Sequence, residues 1–172
     1  MILRPLTVAD ESAAVRAHES LSSENFPFLF DFRVGDGFPA YVDRVDGFNA
    51  GGRFSEGGVP GAFLVAEDRG EIVGRLSVRY ALNAYLREYG GHVGYCVLPG
   101  FRRRGHAAEM LGAGLEMLWR RGLDQALVTC DDDNAGSIAV IEKVGGRHLK
   151  TGPGEAEGDV GKRHYVFKPG SE

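Results

Sequence analysis

The sequence predicts one mixed α/β domain: a central sheet with helices on both faces. Three observations carry that prediction. Short apolar runs rich in β-branched residues alternate with longer segments of helical period, in the order β, α, α, three β, α, β, α, β, β. At 172 residues and 43% hydrophobic, the chain holds apolar material for one core spanning 1–172 and little for a second. No internal repeat breaks the order.

Residues 2–6, ILRPL, read as a short first strand. Thr7 then caps a helix, with Asp10 three positions on as a capping-box variant and apolar or small residues continuing to Leu21. Residues 25–38 are aromatic and irregular, and a short helix fits 39–45. Residues 47–61 contain six glycines and one proline, the composition of a mobile loop. The runs 62–68 and 71–82 flank Arg69-Gly70, a tight-turn signal, and 83–91 returns the chain to a strand at 92–98, HVGYCVL. A helix from near His106 buries Ala108, Leu111, Leu115 and Leu118 and turns Glu109, Glu116 and Arg120 to other faces. Gly122 ends it. QALVTC, 125–130, is a short buried strand, and DDDNAG leads into a helix over 135–144 that Gly145-Gly146 stops. Strands near 147–150 and 163–168 close the chain.

The formal net charge of −4 argues against general nucleic-acid binding. Arg102, Arg103 and Arg104 are therefore a local basic cluster on an acidic molecule, as a small anionic ligand requires. Cys96 and Cys130 both lie in apolar strand-like runs and read as buried free thiols in a reducing compartment. No apolar run reaches the ~18 residues needed to span a membrane. No signal peptide precedes Met1, so a cytoplasmic protein without a membrane partner is expected.

FRRRGHA, residues 101–107, joins a strand to a helix through basic residues and a glycine. The first N–H groups of a helix lack intrahelical partners, and the macrodipole adds positive charge there. A Walker loop needs Gly-Lys-Ser/Thr, and a dinucleotide fingerprint needs three spaced glycines; neither occurs. Without a Walker lysine or an evident Mg²⁺ site, nucleotide hydrolysis is not expected, nor is any metal. Arg102-x-x-Gly105-x-Ala107 suits a pyrophosphate held by successive amides, although an ordinary turn with solvated arginines fits the same residues.

With these residues in this setting, the chain resembles the GNAT superfamily of acyl-CoA N-acyltransferases. That family places Arg or Gln, two residues, Gly, one residue, then Gly or Ala between its fourth strand and third helix. Downstream, Asn134, Ser137, Glu142, Lys143 and Gly145 fall at the family's spacing. Residues 82–97, LNAYLREYGGHVGYCV, are similar to a bacterial subgroup of predicted acetyltransferases with no assigned acceptor. The resemblance is strong over about 62–146 and rests on element order alone before that.

The resemblance implies a GNAT-like sheet of about seven strands whose fourth and fifth members splay, with acetyl-CoA as co-substrate in the wedge. Backbone groups of Cys96 and Val97 would pair with the pantetheine amides like an added strand. The Val97 N–H could hold the developing oxyanion. Arg102, Arg103, Arg104, Gly105, His106 and Ala107 would take the pyrophosphate. Asn134 and Ser137 would reach the cofactor from the next helix, where Asn134 reads equally well as an N-cap. The implied activity is acetylation of a small-molecule amine, a lysine or a peptide N-terminus. Pairing of the C-terminal strands into a homodimer is a further expectation.

An amine with a pKa near ~10.4 must lose a proton before attack. His92 is the candidate base, standing where many GNAT enzymes carry glutamate, with Glu88 in reserve. The competing readings are a structural histidine bonded to the preceding loop and a surface carboxylate. Many members carry a tyrosine as general acid where this chain has Ile141, which reads as core, at i+3 from Ile138. Tyr95 and Tyr165 are possible substitutes, or packed side chains. A thiolate leaving group with a pKa of ~8.5 needs little help. Asp131-Asp132-Asp133 could draw in a cationic amine, or be a solvated turn at the following helix. The glycine loop, with Phe48 and Phe54, is a candidate lid or a surface loop. The alternative to an enzyme is a non-catalytic acyl-CoA-binding or sensing module, which the absence of tyrosine at 141 favours.

Overall fold

The computed structural model describes residues 1–33, 35 and 37–170. Its main elements are β1 (Ile2–Arg4), α1 (Glu11–Ser22), α2 (Phe38–Asn49), β2 (Gly61–Asp68), β3 (Glu71–Arg79), β4 (Val93–Val97), α3 (His106–Arg120), β5 (Ala126–Asp131), α4 (Ala135–Lys143), β6 (Arg147–Gly152) and β7 (Lys162–Phe167). This is the order read from the sequence. Asp10 holds the first turn together: its carboxylate accepts from the Thr7 N–H and hydroxyl, each at 2.8 Å, and from both terminal nitrogens of Arg4. A short 3₁₀ turn, Val8–Asp10, forms first, so the α-helix starts at Glu11 rather than beside Thr7.

Among the described residues seven strands form, and every ladder among them is antiparallel. The ladders run β1-β2-β3-β4 and β5-β7-β6, so the expected sheet divides between β4 and β5. That division is the expected splay, and the candidate site lies in it.

The helix α2 runs to Asn49, beyond the expected 39–45 and into the glycine-rich stretch. Its last side chain explains the extension. The Asn49 amide accepts from the Phe63 N–H at 2.7 Å and donates to the Phe63 carbonyl at 3.1 Å, clamping the helix end to β2. The rest of the loop is pinned by Phe54, whose ring packs edge-on against Phe30, Tyr41 and Phe48. The expectation of a lid over 47–61 therefore meets a loop anchored in an aromatic cluster.

Two cores sit on opposite faces of β2 and β3. One joins α1, α2, Phe28 and Leu29 to Phe63 and Val65. The other joins Leu76, Val78 and Val93 to Met110, Leu111, Leu115 and Leu118 of α3 and to Val128 of β5. Burying each such aliphatic side chain stabilises the fold by roughly 1.5–3 kcal/mol. The buried stripe of α3 is centred on Met110, Leu111, Gly114 and Leu118 rather than Ala108, which is only half-buried. Gly114 explains the shift: a Cβ there would lie 2.9 Å from Val93, so the helix crosses β4 at closest range at that point. Among the described residues, no helix is long and apolar enough to cross a membrane.

Candidate active site

The segment Tyr89–His92 fastens the start of β4 to β5. The His92 N–H donates to the Leu127 carbonyl at 2.7 Å, and the Leu127 N–H donates back to the His92 imidazole Nδ1 at 2.9 Å. The Thr129 hydroxyl donates to the Tyr89 carbonyl at 2.7 Å, and Arg79 donates to the Gly90 carbonyl at 3.2 Å. Gly91 makes the crossing possible: it has φ +61°, and a Cβ would meet the Leu127 carbonyl oxygen at 2.7 Å. Beyond this clamp the strands part.

His92 is thus held by β5, not by the loop before it. With Nδ1 accepting from Leu127, the neutral ring carries its proton on Nε2 and keeps no free lone pair for a base. Burial lowers its pKa, and the nearby Arg87 and Arg79 charges act in the same direction.

Past the clamp, the outer edge of β4 is open. The His92 carbonyl and the Leu98 N–H both bond to β3, at 2.8 and 2.9 Å. Alternation along a strand turns Gly94 and Cys96 the same way, and Val93, Tyr95 and Val97 toward the gap. The Cys96 carbonyl accordingly lies against β3, 2.2 Å from where a Cβ on Gly74 would be. This corrects the expectation for Cys96, whose backbone groups face β3 rather than the wedge. Val97 does face the wedge, as does Tyr95; the Val97 carbonyl accepts from Arg102 Nε at 3.1 Å.

At the far end of β4 the chain turns into α3 through Arg103, with φ +66°, and Gly105, with φ +91°. Gly105 is the N-cap and supplies no capping side chain, so the first-turn amides have no side-chain cap. A Cβ at Gly105 would meet nothing nearer than Glu109 Oε1 at 4.0 Å, so glycine is required there by conformation, not by crowding. The arginines divide. The Arg102 guanidinium grips the Glu24 carboxylate at 2.7 and 2.9 Å, and Arg104 donates to the Gly100 carbonyl at 3.0 Å, while Arg103 is exposed. The His106 ring turns inward, 6% exposed, toward Asp68 at 3.9 Å, and among the described residues neither ring nitrogen has a hydrogen-bond partner. The ring is thus turned away from the expected anion site, and His106 has only its backbone N–H to offer there. Ala107 is half-buried in the first turn.

Between the strands lies a cavity of about 290 Å³ lined by Tyr95, Asn134 and Ser137, by Thr129 to Asp131 and Lys162, by Phe26, Pro27 and Phe30, and by Arg75 and Arg79. Asn134 caps α4, accepting from the Ser137 N–H at 3.0 Å, and still reaches the cavity. The Tyr95 hydroxyl is buried beside Ser137, and burial pushes its pKa up to about 12. Cys130 also lines the cavity; burial, then the Asp131 charge, raise its thiol to about 11.

Neither His92 nor Glu88 lines this space. Glu88 is exposed on the turn Leu86–Gly90 and pairs with Lys150 at 3.1 Å. Tyr165 is fully buried and donates to Glu142 at 3.0 Å, and Ile141 is core as expected. Asp131 and Asp132 are paired with Lys162 and Arg163, so two of the three acidic residues are engaged by β7. Sequence reasoning missed Arg75, Ser77 and Arg79. Their signal is the alternation of polar and apolar residues in RLSVR, within a strand flanked by layers on both faces.

The chain matches the family description Acetyltransferase (GNAT) domain over residues 1–147. Solved structures of similar fold include Mycobacterium smegmatis RimJ in complex with a CoA disulfide, at 21% identity and a TM-score of 0.71, covering 97% of this chain and 81% of that one. Another is RimL, a ribosomal L7/L12 α-N-protein acetyltransferase in complex with coenzyme A, at 18% identity and 0.69, covering 99% and 94%. A third is the microcin C7 self-immunity acetyltransferase MccE in complex with acetyl-CoA and AMP, at 14% identity and 0.70, covering 96% and 91%. At these identities the likeness is one of fold. No curated protein sequence matches the chain.

Proposed function

The chain belongs to the GNAT acetyltransferase family, and we propose that it moves the acetyl group of acetyl-CoA to a primary amine by direct attack on the thioester. One observation carries this reading: the open edge of β4 leads, through the turn 98–104, to a helix start at Gly105 that no side chain caps. An extended amide-bearing arm with a pyrophosphate at one end needs both. Acetyl-CoA is a co-substrate and supplies the activated acetyl carbonyl.

The Val97 N–H pairs with the pantetheine arm like an added strand, and the Tyr95 N–H, farther from the helix start, faces the thioester oxygen as charge develops on it. The pyrophosphate takes the amides of Gly105, His106 and Ala107, with Arg103 and Arg104 beside them. Asn134 and Ser137 contact the arm from α4. The amine nitrogen attacks the carbonyl carbon, the C–S bond breaks, and the sulfur leaves as thiolate. Tyr95, which burial keeps protonated, donates a hydrogen bond to that thiolate without giving up its proton. The two cysteines are no acetyl relay, because burial keeps both thiols protonated near neutral pH. His92 is the clamp of the wedge and not its base. The acceptor enters as free amine, and its proton leaves through water.

Thiol release from acetyl-CoA, followed across a panel of amines, tests the proposal. Saturable, amine-dependent release whose pH profile follows each amine's own pKa is expected. Tight acetyl-CoA binding with no acceleration by any amine would instead make the protein an acyl-CoA-binding or sensing module, the reading that buried Ile141 favours.

A further inference from the structure

One wall of the cavity carries positive charge that nothing in it balances. Arg75, Ser77 and Arg79 share a face of β3, and Gly94, paired with Ser77 on β4, leaves that face uncovered. Arg75 is 2% exposed. It donates to the carbonyls of Phe28 and Pro27 at 2.9 and 3.0 Å and to the Ser77 hydroxyl at 3.2 Å. Its guanidinium lies 4.1 Å from the centroid of the Phe30 ring and 4.9 Å from that of Phe26. Arg79 makes one hydrogen bond, to the Gly90 carbonyl, and its guanidinium lies against Gly94.

Among the described residues, neither arginine has an ion pair. The one acidic residue lining the cavity among them, Asp131, is already matched by Lys162. Carbonyl dipoles and ring faces solvate a buried guanidinium but do not neutralise it. Two such charges in one wall repel an ammonium ion and attract an anion.

We infer that the acceptor is a small primary amine that also carries an acidic group, a carboxylate or phosphoryl, received by Arg79 with Arg75 behind it. This substrate class rests on the acetyl-transfer reading above. Pairing the acidic group with Arg79 leaves the charge of Arg75 uncompensated, and that charge holds the acceptor nitrogen in its neutral, nucleophilic form. This supplies what His92 and Glu88 do not. The size agrees: about 290 Å³, shared with the acetyl end of the cofactor arm, leaves room only for a small acceptor.

The test is thiol release with matched amines: glycine, β-alanine and O-phosphoethanolamine against glycinamide, β-alaninamide and ethanolamine, with an acidic and a neutral hexapeptide alongside. An anionic amine should exceed its neutral partner in kcat/KM by about 10- to 100-fold, the range of a charge-assisted hydrogen bond. The carboxylate and phosphoryl arms show which group is preferred. Arg79→Gln should bring the anionic-to-neutral ratio toward one, and Arg79→Lys, which keeps the charge, should retain most of it. Thermal melts of both variants show that they are folded. Neutral amines that match or exceed their anionic partners overturn the inference while leaving acetyl transfer intact. Peptides that outrun every small amine overturn the small-acceptor class. If acetyl-CoA binds and no amine accelerates release, the transfer reading fails and takes the inference with it.

Discussion

Replacing His92 separates a clamp from a base. In His92→Ala the Leu127 N–H loses its acceptor in a half-buried position, and a buried donor left unpaired costs about 1–3 kcal/mol. At about 2–4 °C per kcal/mol for a domain of this size, the melting temperature should fall by about 2–12 °C. His92→Asn should recover much of this, because the asparagine Oδ1 branches from the chain where the imidazole Nδ1 does and can accept the same N–H. The pH dependence has a definite sign. The folded-state pKa of His92 is lowered by burial, so the neutral ring contributes stability above its unfolded pKa of about 6.5. That contribution is lost as pH falls through the lower folded value. His92→Asn should therefore flatten the loss of stability on acidification, with His18, also lowered by burial, leaving a remainder. Thermal melts from pH 5 to 8 and thiol-release rates over the same range are the assays. The reasoning fails if His92→Ala melts like wild type, loses amine-dependent rate and a pH inflection near neutrality, and is not rescued by asparagine.

Gly105→Val forces a β-branched residue to φ +91°, a strain of roughly 1–3 kcal/mol that the loop relieves by moving its amides. Acetyl-CoA affinity by calorimetry should drop at least ~10-fold, and unchanged affinity would remove the anion site. Tyr95→Phe should lower kcat on the order of 10-fold, the worth of one hydrogen bond to the charged leaving sulfur; an unchanged kcat would return Tyr95 to packing. Asp10, held near pKa 2 chiefly by its hydrogen bonds from Arg4, contributes stability above its unfolded pKa of about 3.9 that is lost as pH falls toward 2. Acid titration of Asp10→Asn should lack that component.

Local signals made much of the fold legible. The turn Arg102–Ala107, the apolar stripe of α3 and the Asn134 cap each follow from residues a few positions apart, and local sequence is enough to place them. What stayed hidden depends on distant partners. His92 meets Leu127 across 35 positions, and no local pattern reveals that its Nδ1 is taken. Whether Cys96 or Tyr95 faces the wedge depends on the β3–β4 register, and a shift of one residue exchanges them. Arg75 and Arg79 sit in a strand covered on both faces, where alternation alone does not say which face holds a cavity.

In the proposed complex, acetyl-CoA pairs with the open edge of β4 and places its pyrophosphate on the first turn of α3. Residue-resolved amide hydrogen exchange with and without acetyl-CoA tests it most directly. The cofactor should slow Tyr95, Val97 and the amides of His106 and Ala107 beyond the uniform slowing that ligand binding gives. Gly94 and Cys96, already facing β3, should follow only the uniform change. Extra protection at Gly94 and Cys96, or none at Tyr95 and Val97, would contradict the account.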